Sequence, residues 1–174
     1  MYRPKTLQRP PARQTRAPIV NPDLDWAASG WAGLAAGAAF ILLQTFMGAL
    51  FGGGNSTDAV RRIASVALGG SVMPPGEPFT VIVFLAAAAV HIPLSLIYAR
   101  VLAAMIDGMK PAPAMSAGAL FGAALYVVNY YVFSGLFPWF VTARGPEALV
   151  AHLAFGTLAA AIYTRLARRP NEAR

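Results

Sequence analysis

Apolar positions along the chain do not alternate with polar ones; they gather into four long runs, at residues 26–57, 78–99, 111–143 and 148–164. Polar or glycine-rich breaks separate them. A helix needs roughly 20 apolar residues to cross a hydrocarbon layer ~30 Å thick, and 17 to 25 are tolerated. Each run therefore holds one span, and the two longest also hold loop. The pattern predicts spans over about 27–51, 79–103, 113–137 and 146–166. The expected fold is all-α: a polytopic membrane protein built as a four-transmembrane-helix bundle.

The break after the first run predicts one further element. Gly52, Gly53 and Gly54 end the first span, Ser56 and Thr57 offer helix N-cap side chains, and Asp58 complements the helix dipole. Val60, Ile63, Ala64, Ala67 and Leu68 then share one helical face, with Arg61, Arg62 and Ser65 on the other. A short amphipathic helix over about 57–68 is expected, stopped by Gly69 and Gly70 and lying on the outer interface or across the mouth of the bundle.

Within the spans, small and polar residues fall into seams. Gly33 and Gly37 in span one have the small-xxx-small spacing of close helix approach, and Gln44 is that span's strongly polar side chain. In span two His91, Ser95 and Tyr98 share a face that Ala87 and Ala88 extend outward, and Pro93 predicts a kink. Gly118, Gly122, Tyr126, Asn129 and Phe133 line one stripe of span three; His152, Gly156, Ala159 and Tyr163 do so in span four. Polar groups in hydrocarbon must find partners on other helices, so these seams should face inward. The candidate polar seam is Gln44, His91, Ser95, Tyr98, Tyr126, Asn129 and His152, with Asn129 or Gln44 as the expected partners of His91. Gly33, Gly37, Gly118, Gly122 and Gly156 are the helix-packing set. Trp139 and Phe140 stand where an interfacial aromatic belt belongs.

Composition changes the picture mainly through charge. Of 174 residues 57% are hydrophobic and 12% charged, with a formal net charge of +7. The basic excess would suit nucleic acid, but its placement follows membrane topology. Eleven basic residues fall in the N-terminal tail, the span two–three connector and the C-terminal end, against Arg61, Arg62 and Arg144 on the other side. The positive-inside rule then puts both termini in the cytoplasm, as four spans require. The expected location is the inner membrane and the expected partners are the lipid bilayer and a second copy or another membrane protein, with no nucleic acid.

Residues 1–22 carry five basic residues, five prolines and no acid, so they read as a disordered basic tail that is retained and not a cleaved signal. Residues 23–168 form the single membrane domain and 169–174 a cytoplasmic tail. The absence of cysteine excludes disulfides, thiolate metal sites and thiol catalysis.

No catalytic, metal or cofactor site is expected. Every Asp and Glu lies at or beyond a membrane boundary, so neither a proton-relay carboxylate nor a hydrolytic acid pair is present in the spans. Glu147 and His152 are about 140° apart on their helix and do not form a dyad. A b-type haem between His91 and His152 is the remote alternative. At 1.5 Å per residue His91 lies about 18 Å past Phe79, but His152 only about 9 Å past Pro146, a mismatch that separates the two ligands in depth. A structural, accessory or envelope-stress role without catalysis is the primary reading. An oligomeric channel or a small-solute or proton transporter, with a polar path around His91 gated at Pro93, is the alternative.

The segments "HIPLSLIYA" and "HLAFGTLAAAIY" resemble the H-x-x-x-S and H-x-x-[FY]-G repeats of small four-span bacterial inner-membrane proteins of the YagU-like kind. "SAGALFG" at the start of span three and the acid ahead of His152 extend the resemblance. It implies that His91, Ser95, Gly118, Gly122, Glu147, His152 and Gly156 are shared positions and that the fold is a four-span inner-membrane one.

Overall fold

The structure, a computed structural model, describes residues 24–51, 57–73 and 78–167. The two terminal tails, the Gly52–Gly54 break and Ser56 lie outside the described residues. Five α-helices run in chain order: α1 Trp26–Phe51, α2 Asp58–Leu68, α3 Val81–Ile106, α4 Pro111–Val127 and α5 Pro146–Leu166. No strand occurs among the described residues. Four segments are long and apolar enough to cross a membrane: α1, α3, α5, and α4 together with its continuation to Gly135. The chain is a four-span, all-helical membrane protein.

Its surface is inverted relative to that of a water-soluble domain. Leu42, Val81, Leu120 and Leu136 are each at least 70% exposed, as side chains facing lipid can be without cost. The interior is built largely from small residues. Ala28, Ala32, Ala36, Ala103, Ala114, Ala159 and Ala160 pack with Leu24, Leu102, Ile106, Phe155 and Tyr163 in one core toward the end where α1 begins and α5 ends.

Glycine sets how close the helices come. Gly118 and Gly156 face each other so closely that a Cβ on either would overlap the carbonyl oxygen of the other, and a Cβ on Gly122 would fall on the carbonyl of His152. On α1, a Cβ at Gly33 would lie 2.8 Å from the Ser95 carbonyl oxygen and 3.0 Å from Ala99 Cβ. Backbone therefore meets backbone between α4 and α5 and between α1 and α3. Packing runs α3 against α1, α1 against α5, and α5 against α4, whereas α3 and α4 barely touch. The bundle is thus open on one side. Leu94 and Tyr98 of α3 and Phe133, in the turn that continues the third span, stand there, side chains too large for the close approach that glycine allows.

Three elements depart from expectation. The third span does not stay α-helical to its end: it widens into a π-helical turn over Val128–Val132, then tightens into a 3-10 turn over Phe133–Gly135. The next segment, Pro138–Ala143, is a 3-10 turn that folds back into the bundle, so Phe140 is buried against Tyr130 and does not form an interfacial belt. Trp139 is likewise engaged, its indole N–H donating to Ser65 Oγ at 2.7 Å. By contrast α3 runs continuously through Pro93.

The short helix α2 also sits differently from its pattern. Arg61 and Ser65, assigned to an outward polar face, are buried, while Ala67 and Leu68 from the apolar face are exposed. Arg61 can turn inward because Nη1 donates to the Val72 carbonyl at 3.1 Å and its guanidinium lies 5.7 Å from the Phe79 ring centroid. Thr57 Oγ1 lies 3.4 Å from Arg61 Nε and caps no backbone amide. Ala64 on α2 packs against Val83 and Ala87 of α3. Gly69, at φ 82°, then turns the chain away in a conformation that a side chain would oppose.

Candidate functional site

The open side between α3 and α4 leads into a cavity of about 330 Å³. Phe40 and Gln44 of α1 and His152 and Phe155 of α5 contribute to its wall, and Leu125, Asn129 and Tyr130 extend it from α4 and the π turn. Val90 to Tyr98 of α3 run along it, while Ala59, Arg62, Ile63 and Val66 of α2 close one end. The amphipathic helix thus lies across the mouth of the bundle. Phe140 lines the same space, brought there by the inward fold of the segment before α5.

Six of the seven candidate polar residues line this one cavity: Gln44, His91, Ser95, Tyr98, Asn129 and His152. Tyr126 does not. It stands behind the wall, with its ring 5.3 Å from Tyr130 and 5.9 Å from His152. Sequence reasoning missed Phe40, Arg62, Tyr130 and Phe140. Tyr130 is one residue from Asn129, and an α-helical wheel turns it about 100° off the seam; only the π turn brings both side chains to the cavity.

The polar groups are paired, but not as expected. His91 bonds neither Asn129 nor Gln44. Its Nε2 lies 2.9 Å from the Gly37 carbonyl oxygen, and because a carbonyl can only accept, Nε2 carries the proton. The small residue at 37 lets the ring reach that backbone group: a Cβ there would stand 2.5 Å from Ser95 Oγ and 3.3 Å from His91 Nε2. Asn129 pairs instead with His152, Nδ2 donating to Nε2 at 3.0 Å. His152 Nδ1 donates to the Ala148 carbonyl at 2.7 Å. A different nitrogen therefore carries the proton held by a backbone carbonyl in each ring, Nε2 in His91 and Nδ1 in His152. Gln44 Nε2 donates to Tyr130 Oη at 3.3 Å. Arg144 Nε holds the Tyr130 carbonyl at 2.8 Å, and its guanidinium lies 4.3 Å from the Tyr131 ring centroid.

Both histidine rings meet Phe40, whose ring centroid lies 5.6 Å from that of His91 and 4.8 Å from that of His152. Contact through one shared ring is compatible with the depth difference read from the sequence.

This proximity still does not make a bis-histidine haem site. Both ring nitrogens of His152 and Nε2 of His91 are already engaged, and Phe40 packs against both rings. Among the described residues no three His, Cys, Asp or Glu side chains converge on a metal position.

One lining residue is charged. Arg62 extends from α2, and its guanidinium interacts with Tyr130 Oη. Its Nε is buried without a hydrogen-bond partner among the described residues. No protein-family model, curated protein or solved structure matches the chain.

Proposed function

We propose that this protein is a small, non-catalytic accessory protein of the inner membrane, with both termini cytoplasmic, whose bundle holds a mainly apolar small molecule in the cleft between α3 and α4. The observation that carries this reading is the cleft. A space of about 330 Å³ falls at the lower end of the ~300–1,000 Å³ common for small-molecule sites, and its mostly apolar and aromatic wall with a few placed polar groups is their usual character. The charge asymmetry between the two sides supports the orientation. Kinship with YagU-like proteins belongs to the same proposal and rests on the His91, Ser95 and His152, Gly156 segments.

Conduction is the weaker reading on two counts. His91, Asn129, His152 and Gln44 are paired within the protein and form no continuous wet path. Below the cleft the Ala-rich core, with Leu102, Ala103 and Ile106 at most 1% exposed, fills the inner half of the bundle.

Native mass spectrometry of the protein purified in mild detergent tests the proposal. The expected result is a bound small molecule in the wild type that is absent from Val90→Trp, whose indole fills the cleft, with both proteins retaining their thermal transition. No bound mass in any preparation would refute it. Proton flux in vesicles that disappears in His91→Ala would favour the channel.

A further inference from the structure

We propose that the cleft takes a single-chain amphiphile with an anionic head, of the fatty-acid type, its carboxylate at Arg62 and its chain running past His91 toward Phe155. This rests on the ligand-holding reading above and names the occupant.

The head group follows from charge. Arg62 is the one ionised side chain in the wall, and no acid in that wall neutralises it. Its buried Nε has no hydrogen-bond partner among the described residues, although a buried donor is costly to leave unpaired and a guanidinium fork matches a carboxylate. Arg100 Nε is buried and unpartnered too, but that guanidinium lies over the Trp26 ring, 5.4 Å from its centroid, and outside the cleft. The other polar groups of the wall make few demands on a ligand: Gln44 is spent on Tyr130, Asn129 on His152, and His91 on the Gly37 carbonyl.

The body follows from shape. Beyond Arg62 the wall is Ile63, Val66, Leu94, Leu125, Phe40 and Phe155, and the eight helical steps from Val90 to Tyr98 give it a length of about 12 Å. About 330 Å³ is the space of roughly eleven water-sized groups at ~30 Å³ each. One chain fits it and a two-chain lipid does not. Access follows from the packing: α3 and α4 barely touch, and Leu136, at the rim, is 72% exposed on the lipid side. An amphiphile can thus enter sideways from the bilayer with its head at the outer end, where α2 presents Arg62.

The full chain reconstituted in phosphatidylcholine vesicles tests this with three photoactivatable diazirine probes: octanoic acid, whose size matches the cleft, the alcohol of equal length, and phosphatidylglycerol bearing the same chain. The acid should label saturably, be displaced by unlabelled octanoate, and crosslink peptides containing Phe40, Leu125 or Phe155. It should exceed the alcohol at least tenfold. Arg62→Gln should fall to the alcohol level while Arg62→Lys retains most labelling; Ala59→Glu, which sets an acid one turn from Arg62, should repeat the loss should Arg62→Gln misfold. Equal labelling by acid and alcohol, or undiminished labelling in both Arg62→Gln and Ala59→Glu, would overturn the anionic head yet leave the ligand-holding cleft standing. Equal labelling by phosphatidylglycerol would overturn the single chain. No saturable labelling of the cleft by any probe would overturn both this inference and the reading beneath it.

Discussion

Replacing Gly122 by alanine adds one methyl group at the point where α4 lies on the backbone of α5. That methyl carbon would fall 2.7 Å from the His152 carbonyl carbon and 3.1 Å from Leu153 Cα, and closer still to the carbonyl oxygen. Both neighbours are backbone, so neither can rotate away, and the helices must separate by on the order of 1 Å to restore ordinary contact. Overpacking of this kind costs about 1–3 kcal/mol. The same shift stretches the Asn129 to His152 bond from 3.0 Å beyond hydrogen-bond reach, with an average loss of about 0.6 kcal/mol for such interhelical bonds. Alanine's better helix propensity returns about 0.8–1.0 kcal/mol. A net destabilisation of about 0.6–2.8 kcal/mol is expected. Gly30→Ala is the matched control, because nothing lies within 4 Å of a Cβ there; only the propensity gain applies, so it should be neutral or stabilising by up to about 1 kcal/mol. Unfolding of both variants in mixed micelles, titrated with SDS and followed by tryptophan fluorescence, gives the comparison. Should Gly122→Ala be as stable as Gly30→Ala, the backbone contact between α4 and α5 does not exist as described.

Three further outcomes are expected. A double-mutant cycle on Gln44→Leu and Tyr130→Phe should return a coupling of about 0.6 kcal/mol and no more than ~1.7; zero coupling in the SDS titration would mean that their 3.3 Å contact carries no weight. Trp139→Phe removes the donor that ties the 3-10 segment to Ser65 on α2, so hydrogen exchange over residues 58–68 should quicken. Ser65→Ala should reproduce the effect and the double variant should add little to it, whereas full additivity would refute a shared bond. Because the chain has no cysteine, single cysteines report topology directly. Met109→Cys should react with an impermeant thiol reagent from the cytoplasmic face and Thr142→Cys from the outer face, and the opposite pattern would overturn the orientation.

The four spans were legible in the sequence because bilayer thickness fixes how long an apolar run must be, and no tertiary contact is needed to read that length. The glycine seams were legible for a similar reason: residues four apart share a helical face, and small ones there admit another backbone. Height and neighbour are different quantities. Periodicity places His91 on a face but not opposite a particular group, and its partner is a backbone carbonyl at Gly37, which leaves no side-chain signal. Nor could helix counting anticipate the π turn that brings Tyr130 beside Asn129 at the cavity, or the fold of Pro138–Ala143 that buries Phe140 against Tyr130.

Arg61 and Arg62 mark the limit most plainly. Their pattern identifies an amphipathic helix from sequence alone. Which face turns inward was decided by the Val72 carbonyl and the Phe79 ring that meet Arg61, and by the cleft that receives Arg62. Span count and helix faces are local properties of one chain segment in lipid. The cleft exists only because glycine draws α3 onto α1 and α4 onto α5, leaving the α3 and α4 side chains facing one another across a gap.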